Sequence, residues 1–527
     1  MKKYDVIIIG TGAGGGTIAQ KLAPTGKKIL ILERGQFLPK EVDNWNPHVV
    51  YTEGKYRPKE HWYDSEGNPF LPFTHYCVGG NTKVYGAALL RLRERDFEET
   101  YHRYGVSPAW PVSYDEMEDY YQQAEQLYHV HGRRGADPTE PPASKPYPFV
   151  EIPAEEDMAR LNAEITSLGY HPSPIPIGIS LPQDHAKINE AASLSYFDGY
   201  PDPTESKADS HVIGIKKALT YENVTLITGF HVQRLDTDAS GHRVRTVCGF
   251  KNGQELEFAA DTIIVSCGAI NSAALLLKSK SAVHPKGLAN SSGLVGRNLM
   301  LHNNGTVVAI TKKKNNAQFQ KSFLISDFYH GKPSFPYPMG TIQLMGKTDP
   351  DTLDGLLKDE FGENLPFVAN DFGVHSIDFF ITTEDLPDHD NKVEVREDGS
   401  IQLKYKQNNI EAYQELRKEM ITILEKLDQR FDYQLQGTVG YKLGVSGVSH
   451  QSGTCRFGND PATSVLDLNC KAHDLSNLYV VDTSFFPSSG AVNPSLTAIA
   501  NALRVGDHLI KKWEGTLQTE QPIAAYA

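Results

Sequence analysis

The sequence predicts an α/β fold extended by an α+β part, and three observations support this. Residues 4–22 form a short apolar strand, a glycine-rich turn and a helix. Residues 261–277 repeat that order, which indicates a return to the same sheet. Residues 304–440 instead hold strand-like runs separated by turn residues, which is typical of an antiparallel sheet. At 527 residues the chain is longer than one hydrophobic core usually supports, so two domains are expected.

The first strand, turn and helix have the spacing of a dinucleotide-binding unit. Gly10, Gly12 and Gly15 form a G-x-G-x-x-G pattern directly after the first apolar strand. Glycines at these positions allow a tight turn, close approach of a pyrophosphate and close packing of the helix. A second apolar strand, residues 28–32, ends in Glu33, where a carboxylate accepts hydrogen bonds from ribose hydroxyls. The unit predicts a Rossmann-like domain that binds a nucleotide, without separating FAD from NAD.

Two later glycine turns are candidates for contact with the same ligand. Gly79 and Gly80 lie in a turn within residues 75–90, where the lack of side chains permits close approach of the backbone to a ligand. The alternative is an ordinary surface loop. Gly268 follows the returning apolar strand and precedes a predicted helix over 271–277.

The antiparallel part is predicted from apolar and polar residues that alternate with a period of two. This alternation indicates a sheet with one covered face, which we interpret as the substrate-facing domain. The predicted strands are residues 306–310, 376–382, 393–395 and 401–403, and the predicted helix is residues 409–430. The domain organisation that follows is a discontinuous nucleotide-binding domain of residues 1–90, 205–303 and 445–527, a cover or loop region of residues 91–204, and a substrate-binding domain of residues 304–444.

Charge, hydropathy and cysteine spacing exclude several functional classes. A net charge of −13 argues against a protein that binds nucleic acid. No stretch of 18 apolar residues exists, so no membrane span is expected. The five cysteines contain no CxxC pair, so neither a metal site nor a disulfide framework is predicted. Reduced thiols and the absence of a signal-peptide pattern lead us to expect a cytoplasmic protein.

The C-terminal region contains candidate catalytic and cofactor-binding residues. An apolar strand ends in Asp482, and Asn493-Pro494 is a favoured start for a helix. A dinucleotide site at the start of the chain with candidate catalytic residues near its end favours a flavin enzyme over a nicotinamide one. The positive end of the helix dipole would stabilise an anionic reduced flavin. His450 is a natural base for removing an alcohol proton near neutral pH. The simpler alternatives are a structural role for His450 and a helix cap for Asn493.

Taken together, these motifs resemble those of the glucose–methanol–choline (GMC) oxidoreductases over nearly the whole chain. The matching segments are Gly10 to Gly15 with Glu33, residues 78–86, residues 110–116, residues 266–272, residues 450–455 and residues 493–497. The resemblance implies the GMC fold, with an FAD-binding domain and an antiparallel-sheet substrate domain.

The resemblance also implies roles for individual residues. His450 would be the catalytic base near flavin N5 and Asn493 its partner. Asp482 would bind the phosphate or ribityl part of FAD, and Val232 would contact adenine through its backbone. Val84 stands where pyranose oxidases carry the histidine that binds flavin covalently, so non-covalent FAD is expected. The full set implied for cofactor binding is Gly10, Gly12, Ala13, Gly14, Gly15, Glu33, Gly79, Gly80, Asn81, Thr82, Val232, Cys267, Gly268, Asp482, Asn493, Pro494 and Ser495.

Within the family, the pairing of His450 with Asn493 looks like that of pyranose oxidases, choline oxidases and bacterial glycoside oxidases. The stretch from Ser446 to His508 looks most like bacterial pyranose 2-oxidases and sugar or glycoside 3-oxidases. It implies oxidation of a secondary hydroxyl, at C2 or C3 of a sugar or glycoside, by hydride transfer to flavin N5. Oxygen, giving hydrogen peroxide, or another acceptor would reoxidise the flavin. The alternatives are a primary-alcohol or choline-type oxidase or dehydrogenase, a lyase resembling hydroxynitrile lyases, and a flavin-binding protein without turnover.

The sequence leaves several features open. It decides neither the sugar and its reacting carbon, nor oxidase against dehydrogenase, nor the oligomeric state. Substrate contacts are expected in loops of residues 315–375. Tyr85, His302 and the upstream His75 are further candidates near the site, without a motif that settles their roles.

Overall fold

The computed structural model describes residues 2–181, 196–362, 373–447 and 449–515. Parts of the predicted segments 91–204, 315–375 and 445–527 therefore lie outside the described residues. The helices are α1 (Ala13–Leu22), α2 (Tyr114–Leu127), α3 (Glu156–Ser167), α4 (Lys216–Ala218), α5 (Ala269–Lys278), α6 (Pro350–Phe361), α7 (Ile410–Phe431) and α8 (Ser495–Trp513).

The strands are short except where they build the two large sheets. They are β1 (Lys2–Ile9), β2 (Ile29–Leu32), β3 (Trp62–Tyr63), β4 (Pro69–Phe70), β5 (Thr100–His102), β6 (Gly105–Ser107), β7 (Val130–His131), β8 (Ser173–Pro174), β9 (Ile177–Gly178), β10 (Val224–Ile227), β11 (His231–Thr237), β12 (Val244–Lys251), β13 (Gln254–Val265), β14 (Asn303–Thr311), β15 (Phe323–Ile325), β16 (Gly340–Leu344), β17 (Ser376–Thr383), β18 (Lys392–Val395), β19 (Ile401–Lys404), β20 (Leu435–Val439) and β21 (Leu478–Val480).

A seven-stranded sheet forms the nucleotide-binding part predicted from the glycine motif. Its order is β10, β2, β1, β13, β12, β11, with β21 beside the end of β13. β10, β2, β1, β13 and β21 run parallel, and every residue of β2 is buried. Such continuously apolar strands are typical of a sheet covered on both faces. Because parallel strands end at one edge, Glu33 after β2 and Asp482 after β21 come to the same side.

Strand β13 belongs to both the antiparallel and the parallel part of this sheet. Residues 254–265 form one continuous strand, because it changes partners along its length. Its start pairs antiparallel with β12 through a hairpin, where Asn252 and Gly253 both have positive φ. Its end lies between β1 and β21, parallel to both.

A six-stranded antiparallel sheet, in the order β20, β14, β17, β16, β15, β8, forms the second large layer. The predicted long helix is α7, which packs across β14, β16 and β17. The expectation of one covered face is wrong for this sheet: every residue of β14 and of β16 is buried. Helix α7 covers one face, while the other faces the interior of the molecule.

The alternating pattern belongs instead to a small four-stranded sheet, in which β19 of the β18–β19 hairpin pairs with β3, and β3 pairs with β4. The mixed architecture confirms the predicted α/β and α+β fold class, whereas the domain boundaries stay a prediction. Within the described ranges, no helix combines the length and apolar character needed to cross a bilayer.

Candidate active site

One large cavity, of about 1260 Å³, connects the glycine turns to the C-terminal segment. Its walls come from the carboxyl ends of the parallel strands, from β14 and β17, and from the start of α8. Ligand pockets are commonly about 300–1,000 Å³, so this cavity has room for a dinucleotide and a substrate together. The predicted residues that line it are Gly10, Gly12, Ala13, Gly14, Glu33, Gly80, Asn81, Thr82, Val232, Cys267, Gly268, His450, Asp482, Asn493, Pro494 and Ser495.

Gly15 and Gly79 do not line the cavity, and both serve packing. A Cβ on Gly15 would lie 2.2 Å from the carbonyl oxygen of Gly10, so helix α1 packs on the turn only without a side chain there. Gly79 has φ +101, and a Cβ on it would meet Lys83 at 2.9 Å. A Cβ on Gly12, by contrast, would have nothing within 4 Å, because this residue faces the cavity.

Glu33 is held in place by the glycine turn. One carboxylate oxygen accepts hydrogen bonds from Thr11 Oγ1 at 2.5 Å and Thr11 N at 3.1 Å, and the other accepts from Gly35 N at 2.8 Å. Burial raises the pKa of Glu33, and these donors oppose that shift. Among the described residues, the oxygen bonded to Gly35 N accepts only this one hydrogen bond, so it keeps acceptor capacity for a ribose hydroxyl.

The second glycine turn packs against the first. Gly79 N donates to Thr11 Oγ1 at 3.0 Å, and a Cβ on Gly80 would lie 3.3 Å from the Cα of Gly12. Thr82 Oγ1 donates to Gly79 O at 2.6 Å, and Asn81 Oδ1 accepts from the backbone N of His75 at 2.8 Å. The two turns therefore form one rigid edge of the cavity.

Asp482 ties the ends of two parallel strands together. Its carboxylate accepts from Gly268 N at 3.1 Å and Ser272 Oγ at 2.5 Å, and it also accepts from the Ser484 hydroxyl and backbone. Burial raises the pKa of Asp482, opposed by these donors. Val232 lies on the edge strand β11, where a register shift follows it.

His450 lies at the far end of the cavity from Glu33, in contact with the six-stranded sheet. Its Nδ1 atom is 3.0 Å from Nδ1 of His302 and 3.3 Å from Nδ2 of Asn304, and the Phe380 ring lies edge-on to it. Burial lowers the pKa of His450 well below 6.5, and the positive forms of His302 and Lys321 lower it further. The imidazole is therefore neutral near pH 7 and has a lone pair available as a base.

The Asn493 side chain is hydrogen-bonded to a residue of strand β16 and does not cap helix α8. Its Oδ1 accepts from Gln343 Nε2 at 2.8 Å. Helix α8 begins at Ser495, not at Pro494 as expected, since Pro494 occupies the cap position and accepts from Ala498 N at 3.2 Å. With Oδ1 occupied, the Nδ2 donor of Asn493 is left for a ligand.

Several residues near this end were not identified from the sequence. Asn304 and Gln343 are polar residues inside fully buried strands, and that contrast was the available signal. Lys321 pairs with Asp198 at 2.8 Å in the cavity wall, a contact between distant segments that no local pattern shows. Lys321, Met345, Lys347 and Thr348 lie in the cavity wall within the predicted 315–375 segment, and Tyr85, His75 and Val84 also line the cavity.

The family model for GMC oxidoreductase matches residues 4–304 and 385–502. This chain belongs to the GMC oxidoreductase family. The match confirms the resemblance seen in the motifs, and the protein is an enzyme that acts on CH–OH donors with FAD as cofactor. The residues fit FAD, because glycine backbone faces the cavity at Gly12, Glu33 offers ribose acceptors and the start of α1 adjoins the turn.

The chain is 30% identical to 6'''-hydroxyparomomycin C oxidase of Streptomyces lividus, over 95% of this chain and 90% of that protein. It is 28% identical to paromamine 6'-oxidase of Streptomyces fradiae, with the same coverage. Identity to the fructose dehydrogenase large subunit of Gluconobacter japonicus is 24%, over 96% of this chain and 97% of that one. The crystal structure of pyridoxine 4-oxidase from Mesorbium loti superposes with a TM-score of 0.65 at 19% identity, covering 96% of this chain and 98% of that one, and it confirms the GMC fold.

Proposed function

We propose that this enzyme oxidises a hydroxyl group of a sugar or glycoside. The observation that carries the proposal is the placement of a neutral His450 and of Asn493 in one cavity with the buried Lys321–Asp198 ion pair. A sugar presents several hydroxyls around the reacting one, and an ammonium beside a carboxylate both donates and accepts hydrogen bonds to such groups. The sugar and aminoglycoside names of the relatives support the same substrate class.

The residues divide the reaction between them. His450 takes the proton of the reacting hydroxyl, while Asn493 Nδ2 donates to the hydroxyl oxygen and orients it. Gln343 fixes the Asn493 amide through the bond to Oδ1. FAD, when bound by the glycine turns and Glu33, supplies the acceptor for the hydride that leaves the carbinol carbon. The protein thus contributes positioning and proton transfer.

The reacting carbon is proposed to be a secondary ring position, C2 or C3, from the resemblance of the sequence of residues 446–508 to pyranose 2-oxidases and glycoside 3-oxidases. A second candidate is a hydroxyl at a 6-position of an aminosugar, favoured by the names paromamine 6'-oxidase and 6'''-hydroxyparomomycin C oxidase. NMR of the product separates the two, because a ring ketone and an aldehyde give distinct carbonyl signals.

Non-covalent attachment of FAD is part of the proposal, since Val84 offers no nucleophile to the flavin. His75 lines the same cavity, so it is the residue to test. Acid denaturation and filtration will release the flavin of the wild-type protein into the filtrate. Flavin that stays on wild-type protein and is released from His75→Ala would overturn this assignment and place the bond at His75.

Anaerobic mixing tests the substrate class. The bound FAD is expected to lose its visible absorbance with D-glucose, a phenolic glycoside or an aminoglycoside, and not with choline or a simple alcohol. Admission of air then distinguishes an oxidase from a dehydrogenase. Fast recovery of the FAD absorbance with formation of hydrogen peroxide supports the proposed oxidase, and slow recovery indicates a dehydrogenase. Bleaching by choline or simple alcohols alone would overturn the sugar assignment, and aldehyde release without bleaching would indicate a lyase.

A further inference from the structure

His302 is the buried residue behind His450, and the proton of each ring can be assigned from its partners. His302 Nε2 lies 3.3 Å from the carbonyl oxygen of Ser489, which only accepts hydrogen bonds. His302 therefore carries its proton on Nε2. Burial lowers the pKa of His302, so its ring is neutral near pH 7 and its Nδ1 bears a lone pair.

The tautomer of His450 follows from that of His302. The two Nδ1 atoms are 3.0 Å apart, which is hydrogen-bond distance, so one of them must carry a proton. Since His302 Nδ1 is the acceptor, His450 Nδ1–H is the donor. The lone pair of His450 is then on Nε2, the atom that a base needs toward the cavity.

The assigned Nδ1–H of His450 requires the Asn304 amide to be turned by half a turn. Its amide lies against His450 Nδ1, with Nδ2 at 3.3 Å, and its Oδ1 has no hydrogen-bond partner among the described residues. The two ends of an amide have the same shape, so a half-turn about the terminal bond places Oδ1 against Nδ1–H and moves Nδ2 to the former position of Oδ1. His450 Nδ1–H then has two acceptors, His302 and Asn304.

The backbone of His302 is clamped in an unusual conformation. His302 has φ +61, a left-handed value that is uncommon for a residue other than glycine. The Asp385 carboxylate accepts from Leu301 N at 2.7 Å and His302 N at 2.8 Å, and from the Tyr405 hydroxyl at 2.7 Å. Strained backbone persists where its surroundings hold it, and here the clamp directs the His302 ring at His450.

We propose that His302 is a positioning residue that fixes the proton of His450 on Nδ1 and leaves Nε2 free to accept the substrate proton. When Nε2 takes the hydroxyl proton, the resulting imidazolium keeps its Nδ1–H bond to His302, which stabilises the charge. The carbinol hydride goes to FAD, so the alcohol becomes a carbonyl and the electrons balance. The inference rests on the proposed role of His450 as base.

Two matched substitutions separate positioning from packing. The amide end of an asparagine reaches the place of a histidine Nδ1, and that of a glutamine reaches the place of Nε2. His302→Asn therefore keeps an acceptor for His450 and loses the bond to Ser489, whereas His302→Gln keeps the Ser489 bond and loses the acceptor. Asparagine also tolerates positive φ, which preserves the backbone.

The expected result is a split between these variants in the rate of FAD reduction by substrate. Hydrogen bonds to charged groups are stronger than neutral ones, so His302→Gln will be roughly 10- to 100-fold slower, with substrate affinity within about threefold of wild type. His302→Asn will stay within about fivefold of wild type. Equal rates for the two variants, or a slower Asn variant, would overturn the proposal.

A measurement on substrate-free protein tests the tautomer of His450 independently of which substrate the enzyme oxidises. The ¹⁵N shifts of labelled histidine distinguish a protonated from a bare ring nitrogen, and His450 is assigned by the signals lost in His450→Gln. Wild-type protein near pH 7 will show a protonated Nδ1 and a bare Nε2, and His302→Gln will shift the population toward a protonated Nε2. A protonated Nε2 in wild-type protein would overturn the proposal, even if the Gln variant fails to hold FAD. A wild-type enzyme that oxidises no sugar overturns the proposed function alone.

Discussion

Substitution of Gln343 tests whether the orientation of Asn493 matters for hydride transfer. Gln343→Leu removes the 2.8 Å bond from Nε2 to Asn493 Oδ1. The Oε1 atom of Gln343 has no hydrogen-bond partner among the described residues, so loss of the buried amide is not expected to destabilise the fold severely. One neutral hydrogen bond contributes about 1 kcal/mol, which predicts FAD reduction that is about fivefold slower.

Gln343→Glu is the more discriminating variant, because it replaces the donor to Asn493 with an acceptor and so reverses this hydrogen bond. A carboxylate accepts from Asn493 Nδ2, which turns Oδ1 toward the substrate hydroxyl oxygen and leaves two acceptors facing each other. Such an unsatisfied contact costs about 1–3 kcal/mol, or roughly 5- to 150-fold in rate.

Anaerobic stopped-flow mixing measures the rate of FAD reduction and the substrate dissociation constant separately. Thr341→Val is the control: Thr341 lies on the same strand, and its loss removes the 3.3 Å contact from Gln343 and the 3.2 Å bond to Ala491 O while leaving the Asn493 bond. It will stay within about twofold of wild type, because both of these hydrogen bonds are long and neither holds the Asn493 amide. A Glu variant that reduces FAD at the wild-type rate would refute the assigned orientation of Asn493.

The remaining predictions concern the base and the glycine turn. The rate of FAD reduction will fall only below pH 6.5, because burial lowers the pKa of His450 and the base stays neutral at mildly acidic pH. A rate that already falls above pH 6.5, on the acid limb of the pH profile, contradicts this. Lys321→Met will move that limb to higher pH, since it removes a positive charge that disfavours protonation of His450; an unchanged limb contradicts that coupling. Gly12→Ala will weaken FAD binding with little change in the melting temperature of the FAD-free protein, whereas Gly15→Ala will destabilise the fold by about 1–3 kcal/mol. Equal effects of the two variants in calorimetry and in FAD titration contradict the assignment of Gly12 to binding and Gly15 to packing.

Local pattern was sufficient to predict the nucleotide end of the fold. The glycine spacing, the buried strands and Glu33 lie within a few dozen residues, and their geometry follows from chain continuity. The same spacing could not separate Gly12, which faces the cavity, from Gly15, which packs on Gly10, because that difference depends on tertiary neighbours.

The substrate end could be predicted only in part. His450 and Asn493 were found through the family resemblance, and their catalytic roles stay predictions. Their partners His302, Gln343 and Asn304 come from other strands or loops, more than a hundred residues away. A strand sequence shows which residues alternate and not which distant side chain each one meets, so these contacts required the structure.

The reduction of FAD by sugar in wild-type protein and in His450→Gln tests the central claim most directly. Removal of a general base costs about 10²- to 10⁴-fold, so the variant will bind FAD and sugar normally and reduce FAD at least about a hundredfold more slowly. A variant that binds FAD and reduces it at the wild-type rate would show that His450 is not the base, and would contradict the account of this site.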